Sequence, residues 1–345
     1  MRLLRWFLSL GLLLLLLLLF RRQLPQMLAR LGRLQPVPML LAVGWYLIFI
    51  LISAWRWQIL LRARQLAFST WYLARVFTLG LFFCKLLPTS IGGDVMRIAY
   101  TARKGKGAEA FSATFLDRVI GFVSLTFLAV VAALGLFAAH GLWAERLVLR
   151  NNAAGEPAMT MRGDVMFLFL LGILLLLVLL VLVLFSDRMH SFLRRLLGGL
   201  HLRRVAETID RAFDSVKQFR HDRSALALSF LLGMGVQAAL SLCWYSVMRA
   251  LGGSVPLVYF MIFIPLLNIV VNVPSIGGLG VREASFVPMF TQPWLENALE
   301  GHLALACAML FLGLDLVFAI IGGLLFASMR RDRAVSDQQS VVNGG

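Results

Sequence analysis

Long apolar runs alternate with short basic connectors along this chain, and the pattern predicts membrane helices. Six segments are apolar over a length sufficient to cross a hydrocarbon core of about 30 Å. They lie near 3–20, 37–61, 112–139, 165–185, 224–250 and 302–328. Two further apolar stretches, near 71–87 and 257–273, each run into a glycine-rich break: PTSIGGDVMR from Pro88 to Arg97, and PSIGGLGVR from Pro274 to Arg282. Aligned on Ser-Ile-Gly-Gly, both copies place an arginine four residues beyond the second glycine. Proline ends a helix, and paired glycines let the backbone turn without a Cβ clash. The expected architecture is an all-α polytopic membrane protein with six full spans and two broken or re-entrant segments, near 71–103 and 257–290. Residues 1–330 form a single integral domain in this reading, and 331–345 a flexible cytoplasmic tail.

Composition agrees with a membrane body: of 345 residues 60% are apolar and 14% charged, and the mean hydropathy is +0.85. The formal charge is +16, from 33 Lys and Arg against 17 Asp and Glu. In a soluble protein that excess would suggest nucleic acid. Here the basic residues sit in short segments beside apolar spans, where they set topology and meet anionic lipid headgroups, so no nucleic acid is expected. Cys84, Cys243 and Cys307 lie inside apolar stretches and offer no disulfide framework, and the five histidines have no metal-ligand spacing. No cofactor or metal is expected. The leucine-rich start resembles a signal peptide, but Arg21-Arg22 follow Phe20 without a small-residue cleavage site, so an uncleaved first helix is expected.

Orientation follows the basic residues. The stretch 186–223 holds nine Lys and Arg, which places it in the cytoplasm, as do the basic segments at 101–107 and after Ser328. Both termini are then cytoplasmic, and 140–164 and 291–301 lie outside. Arg21, Arg22, Arg30 and Arg33 fall on the outer face against the bias. The two broken segments enter the bilayer from opposite faces, the sequence signature of an inverted repeat with a central substrate site. Within 190–219, Leu193, Leu196, Leu197 and Leu200, then Val205, Ile209, Phe213 and Val216, recur at helical spacing among arginines. They predict amphipathic helices on the membrane surface or against the protein's own base.

The charges within this apolar body are the candidate chemistry. A short helix starting near Asp94, after Gly92-Gly93, would aim free N–H groups at an anion, with Arg97 one turn in. Asp94 is equally a plain helix-start stabiliser. In the second copy Gly277, Gly278 and Gly280 loosen the chain before Arg282-Glu283, adjacent charges expected to find partners on other helices. Asp315, near the centre of the last span, costs at least about 2.5 kcal/mol to insert unpaired. It is expected to face the interior and pair with Arg282, Arg97 or Lys85. Asp117-Arg118 head the span 112–139, and Asn268 and Asn272 precede the second break. P-loop, G-x-S-x-G and HExxH motifs are absent.

LLPTSIGGDVMR, LDRVIGF and NVPSIGGLGVREASF together resemble the transmembrane region of bacterial lysylphosphatidylglycerol synthases and the stand-alone membrane proteins that share it, over roughly residues 5–330. The resemblance implies a polytopic protein of the bacterial cytoplasmic membrane that moves an anionic or modified phospholipid, or another lipid-linked molecule, between leaflets. It implies substrate-binding roles for Gly92, Gly93, Asp94, Arg97, Asp117, Arg118, Gly277, Gly278, Gly280, Arg282 and Glu283, to which Asp315 is added from its position. The synthases carry a soluble domain that transfers an aminoacyl group; here the chain ends soon after the last span, so that transfer is not expected. Three readings stay open: a lipid translocase without its own ATPase; an intramembrane lipid-modifying enzyme using Asp94, Asp117 or Glu283 as base; and a membrane anchor or regulatory subunit of a partner enzyme docked through 186–223. Phospholipid or lipid-linked substrate is the expected partner, and a homo-oligomer is left open.

Overall fold

A computed structural model of the chain describes residues 34–86, 91–102, 106–140, 146–151, 157–162, 222–271, 280–292 and 297–342, with single positions at 32, 168, 171, 172, 174, 175, 179, 219 and 295. The described chain is overwhelmingly helical: α1 (Pro36–Ala63), α2 (Thr70–Leu86), α3 (Ile91–Thr101), α4 (Gly107–His140), α5 (Arg223–Ala250), α6 (Leu257–Val270), α7 (Val281–Phe290) and α8 (Gly301–Val342). One small antiparallel hairpin, β1 (Arg146–Asn151) with β2 (Pro157–Arg162), follows α4, in register Arg146 to Arg162 and Asn151 to Pro157. The expected span at 3–20, most of the span at 165–185, nearly all of the 186–223 loop, and Pro88 to Ser90 and Pro274 to Gly278 of the two breaks lie outside the described residues.

Among the described residues, four helices are long and apolar enough to cross a membrane: α1, α4 to Leu136, α5, and α8 to Ser328. Each coincides with an apolar run in the sequence because a bilayer-length helix satisfies its own backbone hydrogen bonds where no water can do so. Pro36 opens α1, where a missing N–H costs nothing.

The body is built on α1 lying along α5; α4 and α6 pack on each other and on α5, and α2 packs on α1 and on α8. Aromatic residues knit α5 to α8. Trp244 stacks between Phe311, at 3.9 Å between ring centroids, and Phe286, at 4.5 Å. Phe286 stacks on Phe290 at 4.4 Å, and Phe290 meets Phe260 at 4.5 Å. This column clamps the short α7 against three longer helices, and so fixes where its first turn, carrying Arg282, points.

Glycines set the other close approaches. A Cβ on Gly93 would lie 2.7 Å from the Gly80 carbonyl oxygen and 2.5 Å from Cys84 Sγ, so α3 folds back onto α2 only because residue 93 has no side chain. A Cβ on Gly322 would fall 2.1 Å from the Thr78 carbonyl oxygen, which seats α8 directly on the α2 backbone. Small residues permit such approaches wherever helices gain nothing from hydrophobic burial against lipid.

Candidate functional site

Two charged clusters converge inside this bundle. The first is an alternating chain of five side chains. Asp117 on α4 accepts from Arg56 Nε on α1 at 2.7 Å and from Arg97 Nη2 on α3 at 2.8 Å. Arg97 Nη1 reaches back one turn to Asp94 at 3.3 Å, and Asp94 also accepts from Arg118 Nε at 2.6 Å. Asp117 and Arg118 are sequence neighbours, so they leave α4 in different directions and serve different ends of the chain. Arg97 lies over Trp57, its guanidinium carbon 4.2 Å from the ring centroid, and Trp57 donates to Thr114 Oγ1 at 3.2 Å. The aromatic face holds the cation while the indole N–H finds an acceptor.

The second cluster surrounds Asp315 on α8. Its Oδ2 receives Lys85 Nζ from α2 and Arg282 Nη1 from α7, each at 2.7 Å, and its Oδ1 accepts from the Tyr46 hydroxyl of α1 at 2.6 Å. One carboxylate thereby ties four helices. A buried carboxylate is tolerable only with its charge and lone pairs so satisfied.

Both clusters line one cavity of about 270 Å³, near the low end of the roughly 300–1,000 Å³ usual for small-molecule pockets. Its charged wall is Arg56, Lys85, Asp94, Arg97, Asp117, Arg118, Arg282 and Asp315, five cations against three carboxylates. Phe49, Phe77, Leu81, Phe122, Leu125 and Leu240 supply an apolar wall. Gln237 and Asn268 add uncharged polar groups, and Asn268 Nδ2 donates to Gln237 Oε1 at 3.1 Å.

Of the residues singled out in the sequence, Gly93, Asp94, Arg97, Asp117, Arg118, Arg282 and Asp315 are brought together here. Asp117 is only 1% exposed, where an interfacial charge would be wet. Gly92, Gly280 and Glu283 are not part of the wall, and Gly277, Gly278 and Asn272 lie outside the described residues. Glu283 departs from the expected pairing with another helix. Its Oε2 accepts the Gly280 N–H of its own helix start at 2.7 Å, and Gly280 holds φ 78°. That is a reciprocal end of a capping box, in a backbone conformation that favours glycine. α3 begins at Ile91 rather than near Asp94, which leaves Asp94 within its first turn.

Arg56, Tyr46 and Gln237 escaped the sequence reading. Arg56 sits in Ala54-Trp55-Arg56-Trp57, inside the span predicted at 37–61. A cation within an apolar span was the available signal. Tyr46 and Gln237 carry no such mark, because neither charge nor motif separates them from ordinary span residues.

A family model described as lysylphosphatidylglycerol synthase TM region matches residues 5–323. Neither the curated proteins nor the solved structures include a significant match. The matched stretch runs through both clusters and all four bilayer-length helices. The chain is therefore a multi-pass membrane protein tied to lipid metabolism, and it belongs to the lysylphosphatidylglycerol synthase TM region family.

Proposed function

We propose that the cavity receives the headgroup of an anionic phospholipid or lipid-linked substrate and carries it between leaflets, without an ATPase of its own. The observation behind this reading is that Arg97, from the helix after the first break, and Arg282, from the helix after the second, line the same charged cavity beside apolar side chains. A headgroup crossing hydrocarbon meets a steep electrostatic barrier, and fixed arginines in a protected cavity lower it. Helices α2 and α3 then form one re-entrant segment, and α6 and α7 the other, entering from opposite faces as an inverted repeat. Arg97 meets the phosphate from the cytoplasmic side and Arg282 from the outer side, in a bacterial cytoplasmic membrane with both termini inside. The intramembrane-enzyme alternative draws less support. Asp94 and Asp117 each accept arginine donors on both oxygens, which leaves neither set up as a general base.

The test is lipid scrambling in proteoliposomes containing a fluorescent phosphatidylglycerol. The intact protein equilibrates the label between leaflets; Arg97→Ala and Arg282→Ala, each shown to stay folded, do not. Scrambling at the unaltered rate in both variants would remove the roles given to these arginines.

A further inference from the structure

Away from the cavity, the first two turns of α2 carry an exposed cation beside an exposed indole. Phe77, Leu81 and Lys85 of this helix line the cavity. Trp71 and Arg75, four residues apart and so on one face of the helix, are exposed instead, Trp71 to 64%. The Arg75 guanidinium carbon lies 6.0 Å from the Trp71 ring centroid, at the outer limit of a cation–π contact. That contact gives the side chain a direction and leaves its N–H donors unused. Among the described residues Arg75 has no hydrogen bond and no ion pair.

The neighbouring chain holds no acid for it. Asp94 is the first acidic residue in the sequence, so α1, α2 and the connector between them have none, and Asp94 is committed to Arg97 and Arg118. The surroundings point to the bilayer. Helix α1 is long enough to cross it and ends at Ala63, so α2 starts at Thr70 at one membrane face. Side chains on a helix lean toward its N-terminus, so the Arg75 guanidinium reaches back toward that face, as its contact with Trp71 shows. Tryptophan sits at the headgroup level, where its apolar ring and polar N–H are both accommodated. The anion available to an exposed guanidinium at that level is a lipid phosphate, which its planar fork of donors fits.

We infer that Trp71 and Arg75 form a peripheral lipid-phosphate site on the outside of α2: the guanidinium pairs with the phosphate of a phospholipid in the leaflet where α2 starts, and the indole ring packs beside the same lipid. The site is separate from the charged cavity and does not depend on transport through it.

The experiment is photo-crosslinking of the full chain in dodecyl maltoside, a detergent without phosphate. The probe is phosphatidylglycerol with a diazirine on its acyl chain close to the glycerol. Diacylglycerol with the same label is the phosphate-free control, and crosslinked peptides are mapped by mass spectrometry. The peptide containing Trp71 and Arg75 is expected to take the phosphatidylglycerol label and to take about fivefold less from diacylglycerol. Arg75→Gln is expected to lower the phosphatidylglycerol label there about fivefold. Arg75→Lys, which keeps the charge and loses the fork, is expected to lower it about twofold. Arg75 is exposed, so both variants are expected to melt as the unaltered protein does. Arg223 is the charge control: it is exposed at the start of α5, which the Arg64–Asp222 pair at 2.5 Å holds beside the end of α1. Arg223→Gln is expected to leave the label unchanged. Equal losses in Arg75→Gln and Arg223→Gln would reduce the site to diffuse attraction and overturn it. Equal labelling by diacylglycerol, or no label at this peptide, would overturn it as well. Displacement of the lipid by millimolar inorganic phosphate would assign the cation to the free ion and overturn the lipid as its partner. Scrambling by the Arg97 and Arg282 variants reads the cavity and not this site, so either reading can fail alone.

Discussion

Arg97 on α3 and Asp117 on α4 form a buried ion pair at 2.8 Å, and Arg56 holds the other oxygen of the same carboxylate. Removing the carboxylate takes the acid from Arg56 and leaves Arg97 only its longer contact with Asp94, at 3.3 Å. Breaking a buried pair from one side costs roughly 3–5 kcal/mol. Asp117→Asn is therefore expected to lower the thermal midpoint in detergent well beyond the effect of an exposed substitution such as Arg62→Gln. A midpoint within a degree of the unaltered protein would contradict this account of the network.

Asp315 is anchored twice by cations and once by a hydroxyl. Tyr46→Phe removes only the neutral donor, at about 1 kcal/mol, whereas Asp315→Asn takes from Lys85 and Arg282 the carboxylate they share, at about 3 kcal/mol or more. The expected order of thermal midpoints is unaltered, then Tyr46→Phe, then Asp315→Asn. Lys85→Met combined with Asp315→Asn is expected to be less damaging than the two single effects added together. Additivity in that double-mutant cycle would mean that the two side chains do not interact.

Gly93 and Gly135 offer a matched contrast. A Cβ at 93 collides with the α2 backbone, while one at 135 meets nothing within 4 Å. Gly93→Ala is expected to destabilise by about 1–3 kcal/mol through overpacking. Gly135→Ala is expected to be neutral or to stabilise the helix by up to about 1 kcal/mol. The same melting assay reads both. Parallel effects would show that α3 does not rest on α2 as described.

At the start of α7, Glu283 serves its own backbone through the Gly280 N–H. Glu283→Gln keeps an oxygen for that contact and is expected to retain most of the stability; Glu283→Ala loses the cap at about 1 kcal/mol. Lipid scrambling should survive Glu283→Gln. Loss of transport in a well-folded Glu283→Gln protein would return this carboxylate to the substrate site, from which its capping contact separates it.

How much of this was legible beforehand follows from what each feature depends on. The membrane class and the four described spans came from runs of apolar residues, because a helix in hydrocarbon must be apolar along its whole length, and that is a local property of the chain. The two Gly-Gly breaks were equally local: proline and paired glycines interrupt a helix wherever they occur. Asp315 and Arg282 stood out because a charge in an apolar span is expensive and demands a partner. Which partner was not written in the chain. Asp315 could have met Arg97; it meets Lys85 and Arg282 because the aromatic column of Trp244, Phe286 and Phe311 presses α7 against α8, and Gly322 seats α8 on α2. Arg56 joined the site only when the lie of α1 along α5 and α4 brought it to Asp117. Glu283 lies outside the cavity wall, its Oε2 accepting the Gly280 N–H of its own helix start. The sequence by itself determined an α-helical membrane body, two helix breaks and a set of intramembrane charges that must be paired. Tertiary packing alone decided the pairing, because a buried ion pair needs its donor and acceptor atoms within about 3 Å, and residues distant along the chain set the helix packing that brings them there.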